Sequence, residues 1–178
     1  MSESPGQEIE RKYLLEGMPP LPRDAVASRI EQGYLPEPDA GEDAPPPPPS
    51  GDDEDIPRVG RLRRRIAPDG TEQFTHTIKR GAGLVREEHE RIIDRRTFDA
   101  AWPHTAGRRL AKTRHVVAAG DGFIWEIDEF ADRPLVLAEV ELPDAGARPA
   151  MPDWLAPHVV REVTDEPAFT NSALAIGG

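Results

Sequence analysis

The sequence predicts an α+β fold of mainly antiparallel β structure: an eight-stranded closed β-barrel, or tunnel, with a few helices packed outside. One observation behind this prediction is the set of short turn signals, such as Pro68-Asp69-Gly70 and Gly120-Asp121-Gly122, between the candidate strands. Connections this short join antiparallel neighbours. The other observation is that charged and apolar residues alternate along nearly every strand, which places the charges on one face. Closing the sheet encloses that face and removes the exposed edges.

The predicted strands are the segments whose side chains alternate with a period of two. They are residues 7–15, 32–36, 58–66, 72–80, 85–94, 108–118, 122–130 and 134–142. The short turns predict a meander, in which each strand pairs with the next one along the chain. When the meander closes into a barrel, its first and last strands become neighbours.

Three short helices are predicted to pack against the sheet. The first covers residues 24–32, with an apolar side and with Gly33 as its end signal. The second covers residues 97–102, and the third covers residues 171–175, where Asn171 is a suitable N-cap. The apolar outer face of the sheet needs a cover of this kind.

Length and composition indicate a single domain over residues 1–178, interrupted by one loop insertion. The net charge is −11, but residues 37–55 contain eight acidic residues and no basic one, which leaves 25 acidic against 22 basic residues in the rest of the chain. The acidic, proline-rich stretch 36–57 has few apolar groups to bury and cannot form regular hydrogen bonds at its prolines. It is predicted to be a disordered surface loop.

The composition also restricts cofactors, partners and location. The chain has no cysteine, so a metal ion must be held by oxygen or histidine nitrogen. An acidic total argues against nucleic acid as a partner, because that binding needs a basic surface. No apolar run approaches the roughly 20 residues of a membrane span, and the first residues lack the features of a signal peptide. The expectation is a cytoplasmic protein without a membrane partner.

On most of the predicted strands, the charged face holds mainly basic or mainly acidic groups. By alternation, the residues that share a face are Glu8, Glu10 and Lys12; Arg61, Arg63 and Arg65; Thr75, Thr77 and Lys79; Glu88 and Glu90; Lys112 and Arg114; Glu126 and Asp128; Glu139 and Glu141. An ordinary antiparallel sheet with one solvated face also alternates in this way. However, carboxylates two residues apart repel each other unless a cation lies between them. The separation of basic from acidic strands therefore favours a barrel that faces an anion with one wall and a divalent metal with another.

These motifs resemble those of a known family. Glu8-Ile9-Glu10-Arg11-Lys12 matches the ExExK signature of the CYTH family (CyaB–thiamine triphosphatase), the triphosphate tunnel metalloenzymes. Later segments are similar to that family in the same order: Arg61-Leu62-Arg63, Thr77-Ile78-Lys79, Arg86-Glu87-Glu88-His89-Glu90, Lys112-Thr113-Arg114, Trp125-Glu126-Ile127-Asp128 and Ala138-Glu139-Val140-Glu141. ExExK alone is a weak pattern, whereas this ordered set spans nearly the whole chain and is specific.

The resemblance implies a tunnel that binds a triphosphate together with Mg²⁺ or Mn²⁺. The implied substrate-binding residues are Lys12, Arg61, Arg63, Lys79, Lys112 and Arg114. The implied metal ligands are Glu8, Glu10, Glu139 and Glu141, followed by Glu126 and Asp128. Lys12, Lys112, Glu88 and Glu90 are the candidate catalytic residues, and either of the last two could take the proton from water.

The expected activity is metal-dependent hydrolysis of inorganic triphosphate (tripolyphosphate) to diphosphate and phosphate by metal-activated water. Similar small bacterial family members occur as monomers and homodimers, so either state is open. Alternatives are hydrolysis of a nucleoside or thiamine triphosphate, adenylate cyclisation as in the CyaB branch, and polyphosphate binding without turnover. An organic substrate needs an aromatic wall at the tunnel mouth, for which Trp154, Phe169 and Phe130 are the candidates. Retention of all the carboxylates disfavours a binding module.

Overall fold

A computed structural model of the chain describes residues 6–7, 9–36, 56–80, 87–144 and 146–176. The predicted loop at 36–57 therefore lies almost entirely outside the described residues, as does Glu8. Among the described residues, no helix is long and apolar enough to cross a lipid bilayer.

One antiparallel sheet contains all the strands of the described residues. The strands are β1 Gly6–Gln7, β2 Ile9–Leu15, β3 Val26–Leu35, β4 Gly60–Ile66, β5 Glu72–Arg80, β6 Glu87–Ile93, β7 Arg109–Ala118, β8 Ile124–Phe130, β9 Val136–Leu142 and β10 Val159–Glu162. Their spatial order is β1-β6-β5-β4-β3-β7-β8-β9-β2-β10. This confirms the predicted fold class, although the count of ten exceeds the predicted eight.

The amino-terminal segment connects the two sides of the sheet. A single residue separates β1 from β2, and β1 pairs with β6 whereas β2 pairs with β9. The contact with β6 is only two residue pairs long, Gly6 with Glu88 and Gln7 with Glu87, so the closure is weak. The prediction that the first and last strands of the barrel become neighbours agrees with the pairing of β2 and β9. We call the inner face of this curved sheet the lumen.

The predicted meander is wrong at two connections. β3 lies between β4 and β7, so the chain leaves β6 and crosses over before it forms β7. Likewise β2 and β3 follow each other in sequence but are not paired. The crossover after β6 is possible because it contains the helix α1, Arg95–Ala101, and a 3₁₀ turn, Trp102–Thr105.

The helix predicted at residues 24–32 is also wrong, because this segment belongs to β3. Val26 and Ile30, four residues apart, suit either a helix face or a strand face, and the strand is stabilised by ladders to β4 and β7 on both sides. Gly33 is not a helix end but a point of close contact. A Cβ at this position would lie 2.6 Å from Oγ1 of Thr105 and 2.9 Å from the ring of Trp102.

The other two predicted helices are present. Asp94 caps α1 by accepting a hydrogen bond from the backbone N–H of Thr97 at 2.7 Å. The second helix, α2, covers Asn171–Ile176. Its first turn is closed by Thr170, whose Oγ1 accepts from the backbone N–H of Ala173 at 3.3 Å, so the side chain of Asn171 is not its cap.

Apolar layers cover the outer face and one end of the lumen. On the outside, Phe98 of α1 lies 4.9 Å from the ring of Phe74, in a buried cluster with Leu62. A second outer cluster surrounds the fully buried Trp125. At one end of the lumen, the inner face of β7, β8 and β9 meets α2 in a third cluster. Fully burying a large apolar side chain contributes about 1.5–3 kcal/mol, so these layers hold the sheet in its curved shape.

We expect Gly33→Ala to lower the free energy of unfolding by about 1–3 kcal/mol, because the added methyl overlaps Thr105 and Trp102 in a packed layer. Gly17→Ala is the matched control, since a Cβ there meets no atom within 4 Å. Urea unfolding followed by tryptophan fluorescence measures both changes. Equal midpoints for the two variants would contradict the close contact between β3 and the 3₁₀ turn.

Candidate functional site

The strand register gathers the polar side chains in the lumen, because residues paired across antiparallel strands share a face. The lumen-facing residues are Glu10 and Lys12 of β2; Ser28, Ile30, Gln32 and Tyr34 of β3; Arg61, Arg63 and Arg65 of β4; Gln73, Thr75 and Thr77 of β5; Glu90 and Ile92 of β6; Leu110, Lys112 and Arg114 of β7; Glu126, Asp128 and Phe130 of β8; Leu137, Glu139 and Glu141 of β9. Six strands contribute ionised groups to this one face.

The carboxylates of β2, β8 and β9 form one side of the lumen, which we call the acidic wall. Arg114 of β7 lies at its centre. Its Nη2 lies 2.6 Å from Oδ2 of Asp128 and 2.7 Å from Oε2 of Glu139, and its Nε donates to Oδ1 of Asp128 at 2.7 Å. A further ion pair joins Nη1 to Glu126. The planar guanidinium suits several carboxylate oxygens at once, so a single arginine from β7 connects β8 and β9 through their side chains.

Lys112 is completely buried beside this arginine. Its Nζ donates to Oδ2 of Asp128 at 2.5 Å and to Oδ1 of Asn171 at 3.1 Å, and the side chains of Lys112 and Asp128 are both 0% exposed. Burial lowers the pKa of Lys112, although Asp128 opposes the shift. The amine is therefore held between an acidic strand and the carboxyl-terminal helix.

Lys12 reaches the same wall from β2. Its Nζ lies 2.9 Å from Oε1 of Glu139, 3.4 Å from Oε1 of Glu10 and 3.4 Å from the backbone oxygen of Phe169. Burial lowers the pKa of this amine, but the two carboxylates outweigh burial and raise the pKa overall. Conversely, burial acts to raise the pKa of Glu139, and the cations Lys112, Arg114 and Lys12 lower it well below the usual range.

The arginines of β4 form the opposite side of the lumen, which we call the arginine wall. Arg61 donates to Oγ1 of Thr77 at 3.0 Å and pairs with Oε2 of Glu90 at 3.2 Å. Arg63 differs, because its Nε donates to the neutral Oε1 of Gln32 at 3.2 Å and it has no ion pair with any carboxylate among the described residues. Burial, together with the positive charges of Arg61 and Arg114, lowers the pKa of Arg63 to about 10. Arg63 is thus a buried cation with two other cations nearby.

The structure brings most of the predicted site residues together. Lys12, Arg61, Arg63, Lys112, Arg114, Glu10, Glu90, Glu126, Asp128, Glu139 and Glu141 all belong to the lumen face. The backbone of Lys79 pairs with that of Glu88 on the same face, but the side chains of both residues lie outside the described part of the chain. Glu8 lies outside the described residues altogether. The roles assigned to these residues stay predictions.

Sequence reasoning missed several polar residues of the lumen. Gln32 donates from Nε2 to the hydroxyl oxygen of Tyr34 at 2.6 Å, and burial raises the pKa of that hydroxyl. Both lie within the predicted strand 32–36, but that strand was not among those with alternating charges, because neither side chain is ionised. Strand alternation through residues 28–34 was the signal that identifies them. Asn171, predicted to be a cap, has no comparable sequence signal for its contact with Lys112.

Two carboxylate pairs are candidate cation ligands. Glu10 lies opposite Glu141 across β2 and β9, and Glu126 lies opposite Glu139 across β8 and β9. Like charges that face each other across strands repel, and oxygen ligands of this type suit hard divalent ions. Within the described residues, however, no three histidine or acidic side chains converge on one point. The donor chemistry fits a divalent metal, and the described residues alone do not complete its site.

Comparisons with known proteins identify relatives of similar length. No established protein-family profile matches the chain. An inorganic triphosphatase of Nitrosomonas europaea is 36% identical over 173 residues, which cover 95% of this chain and 97% of that protein. An inorganic triphosphatase of Acetivibrio thermocellus is 48% identical over a shorter stretch of 56 residues, 30% of this chain and 33% of that protein. A crystal structure of an inorganic triphosphatase matches with a TM-score of 0.57 and 32% identity, covering 95% of this chain and 94% of that one.

Asp128→Asn is expected to destabilise the protein by about 3–5 kcal/mol, because it leaves the buried Lys112 ammonium without its anionic partner. Asp132→Asn is the matched control: Asp132 pairs with Arg133 at the surface, where an ion pair contributes under about 1 kcal/mol. Guanidinium unfolding at neutral pH measures the difference. A loss for Asp128→Asn no larger than that of the control would refute the importance of the buried pair.

Proposed function

Because the chain belongs to the CYTH family of triphosphate tunnel enzymes, we propose that it hydrolyses inorganic triphosphate to diphosphate and phosphate in the lumen, with Mg²⁺ or Mn²⁺. The observation that carries this proposal is the asymmetry of the lumen. Carboxylates of β2, β8 and β9 form one wall, and the arginines of β4 form the other, with Arg63 surrounded by further positive charge. A polyanion fits the second wall, and divalent cations fit the first.

Substrate binding depends on cations that already point into the lumen. A triphosphate carries roughly four to five negative charges near neutral pH and needs matched cations in a low-dielectric site. Arg61 and Arg63 offer planar guanidinium groups for phosphoryl oxygens, while Lys12 and Lys112 act as point charges. Lys79, by its backbone position on β5, would add a further cation. Since Lys12 and Arg114 pair with carboxylates of the acidic wall, a triphosphate that binds these two residues competes with those carboxylates.

The chemistry is phosphoryl transfer to water, in which the protein positions groups and stabilises charge. When bound by carboxylates of the acidic wall, Mg²⁺ or Mn²⁺ would neutralise phosphoryl oxygens and lower the pKa of a coordinated water. Lys12 and Lys112 would stabilise the charge that develops on the leaving diphosphate. Glu88 and Glu90 remain the candidates for the proton acceptor, and Glu90 is already hydrogen bonded by Thr77 Oγ1 at 2.9 Å.

The positions of the aromatic side chains favour an inorganic substrate over an organic triphosphate. Trp154 packs against the outer apolar cluster around Trp125, not in the lumen. Phe130 and Phe169 belong to the apolar cluster that fills one end of the lumen. All three candidates for an aromatic wall therefore pack against apolar clusters of the fold.

Arg63→Ala should reduce kcat/KM for inorganic triphosphate by about 10- to 100-fold, which corresponds to losing a charged hydrogen bond to the substrate. Arg64→Ala is the matched control, because Arg64 is the next residue on β4 and pairs with Glu31 at 3.1 Å on the opposite face. Phosphate release with Mg²⁺ or Mn²⁺ measures both variants. Equal losses of kcat/KM in the two variants would contradict the proposed binding of triphosphate by the arginine wall. Absence of turnover by the wild type with either metal would contradict the proposed function.

Glu141→Gln is expected to raise the Mg²⁺ concentration that gives half-maximal activity by about tenfold or more, because a ligand carboxylate becomes a neutral amide. Glu162→Gln, on the outer strand β10 and paired with Arg11, should leave the metal titration unchanged. Calorimetric titration of both variants with Mn²⁺ provides a second readout that does not depend on turnover. Unchanged metal affinity in Glu141→Gln would remove this residue from the metal site.

A further inference from the structure

The carboxyl-terminal segment makes polar contacts inside the lumen that the residue roles above leave unexplained. Two lumen lysines from different strands donate to it: Lys12 to the backbone oxygen of Phe169 at 3.4 Å, and Lys112 to Oδ1 of Asn171 at 3.1 Å. Asn171 follows Lys112 by 59 positions in the sequence, so the fold alone brings them together. We propose that Asn171 is a positioning residue, which holds the Lys112 ammonium in the orientation needed for triphosphate hydrolysis.

The side chain of Asn171 is available for this role because another residue caps α2. Oγ1 of Thr170 accepts from the N–H of Ala173 and also donates to the backbone oxygen of Pro167 at 2.8 Å. An asparagine at the start of a helix ordinarily caps it with its own oxygen. With the cap supplied by Thr170, Oδ1 of Asn171 is directed to the amine of Lys112.

The position of Asn171 is fixed from both ends of its segment. Upstream, the backbone N–H of Val163 donates to the oxygen of Lys12 at 2.8 Å, and Oγ1 of Thr164 accepts from the N–H of Lys12 at 3.1 Å. Downstream, Leu174 and Ala175 pack into the apolar cluster at the end of the lumen. An acceptor held in this way can restrict an amine, whereas an acceptor on a loose tail could not.

Lys112 is held by Asp128 as well as by Asn171, and its Nζ lies 5.5 Å from the centroid of the Phe130 ring. The ammonium group has three donors, of which Asp128 and Asn171 each take one. Without Asn171, the amine loses one of these two hydrogen bonds and can turn about its contact with Asp128. A displacement of about 1 Å in a charged group at a reacting centre costs about a hundredfold in rate.

The test compares two substitutions that separate positioning from packing. Asn171→Leu keeps the size and removes the acceptor, whereas Asn171→Asp keeps an acceptor oxygen and adds a charge. Positioning predicts that kcat falls by about 10- to 100-fold in Asn171→Leu and stays within about threefold of wild type in Asn171→Asp. In Asn171→Asp, KM should rise because the new carboxylate repels the triphosphate. Ser172→Ala, an exposed neighbour on α2, is the control and should match wild type.

Other outcomes overturn the inference. If Asn171 merely packs beside Leu174, the apolar variant retains turnover and the acidic variant loses it. Equal turnover in both variants, whether normal or reduced, shows that the acceptor oxygen is not the relevant feature. Urea midpoints are measured for each variant, and Asn171→Ala replaces Asn171→Leu if the leucine variant does not fold. The inference depends on the proposed function, and the wild type in the same assay separates the two: no wild-type turnover refutes the function, whereas a wild-type rate in Asn171→Leu refutes only the positioning role.

Discussion

Most of the ionised side chains inside this sheet lie against an opposite charge, and the rest of the structure depends on that pairing. An unpaired buried ion costs several kcal/mol, whereas a well-bonded pair recovers most of that cost. Arg114 contacts carboxylates on β8 and β9, and Lys12 joins β2 to β9 through Glu139. A slip of one residue in any of these strands would turn its charges outward and leave the partners unpaired. The ion pairs therefore fix the register, and the register defines the lumen.

The same pairing bears on the stability of a lumen that holds many charges. In the acidic wall, the cations are neutralised by protein carboxylates, so their burial is compensated within the protein. In the arginine wall, Arg63 donates to the neutral oxygen of Gln32, and burial, together with the positive charges of Arg61 and Arg114, lowers its pKa. Under the proposed function, the triphosphate would supply an anionic partner for Arg63, so that the acidic wall would contribute mainly to stability and the arginine wall mainly to anion binding.

The sequence was informative where the spacing of apolar residues fitted a strand alone. It was less informative where the spacing fitted both a helix and a strand. On β2, β4, β8 and β9, charges alternate with apolar residues, and both the strands and their inward faces were predicted correctly. On β3, Val26 and Ile30 fit helix and strand alike, and pairing with two neighbouring strands decided the outcome. The error also concealed Ser28 and Ile30, which face the lumen from the first part of this strand. Contacts between distant segments, such as that of Asn171 with Lys112, depend on tertiary packing and leave no local pattern to read.

The boundary between apolar and ionised residues lies at the same level on several strands. Leu14 and Lys12, Leu110 and Lys112, Phe130 and Asp128, and Leu137 and Glu139 are each two positions apart, and the apolar member of each pair belongs to the cluster that α2 closes. This layer excludes water from one side of the charged groups. Because Coulomb interactions strengthen as the local dielectric constant falls, the dry layer strengthens the ion pairs next to it. The carboxyl-terminal helix α2 therefore has two effects: it covers one end of the lumen, and it strengthens the ion pairs next to the apolar layer that it closes.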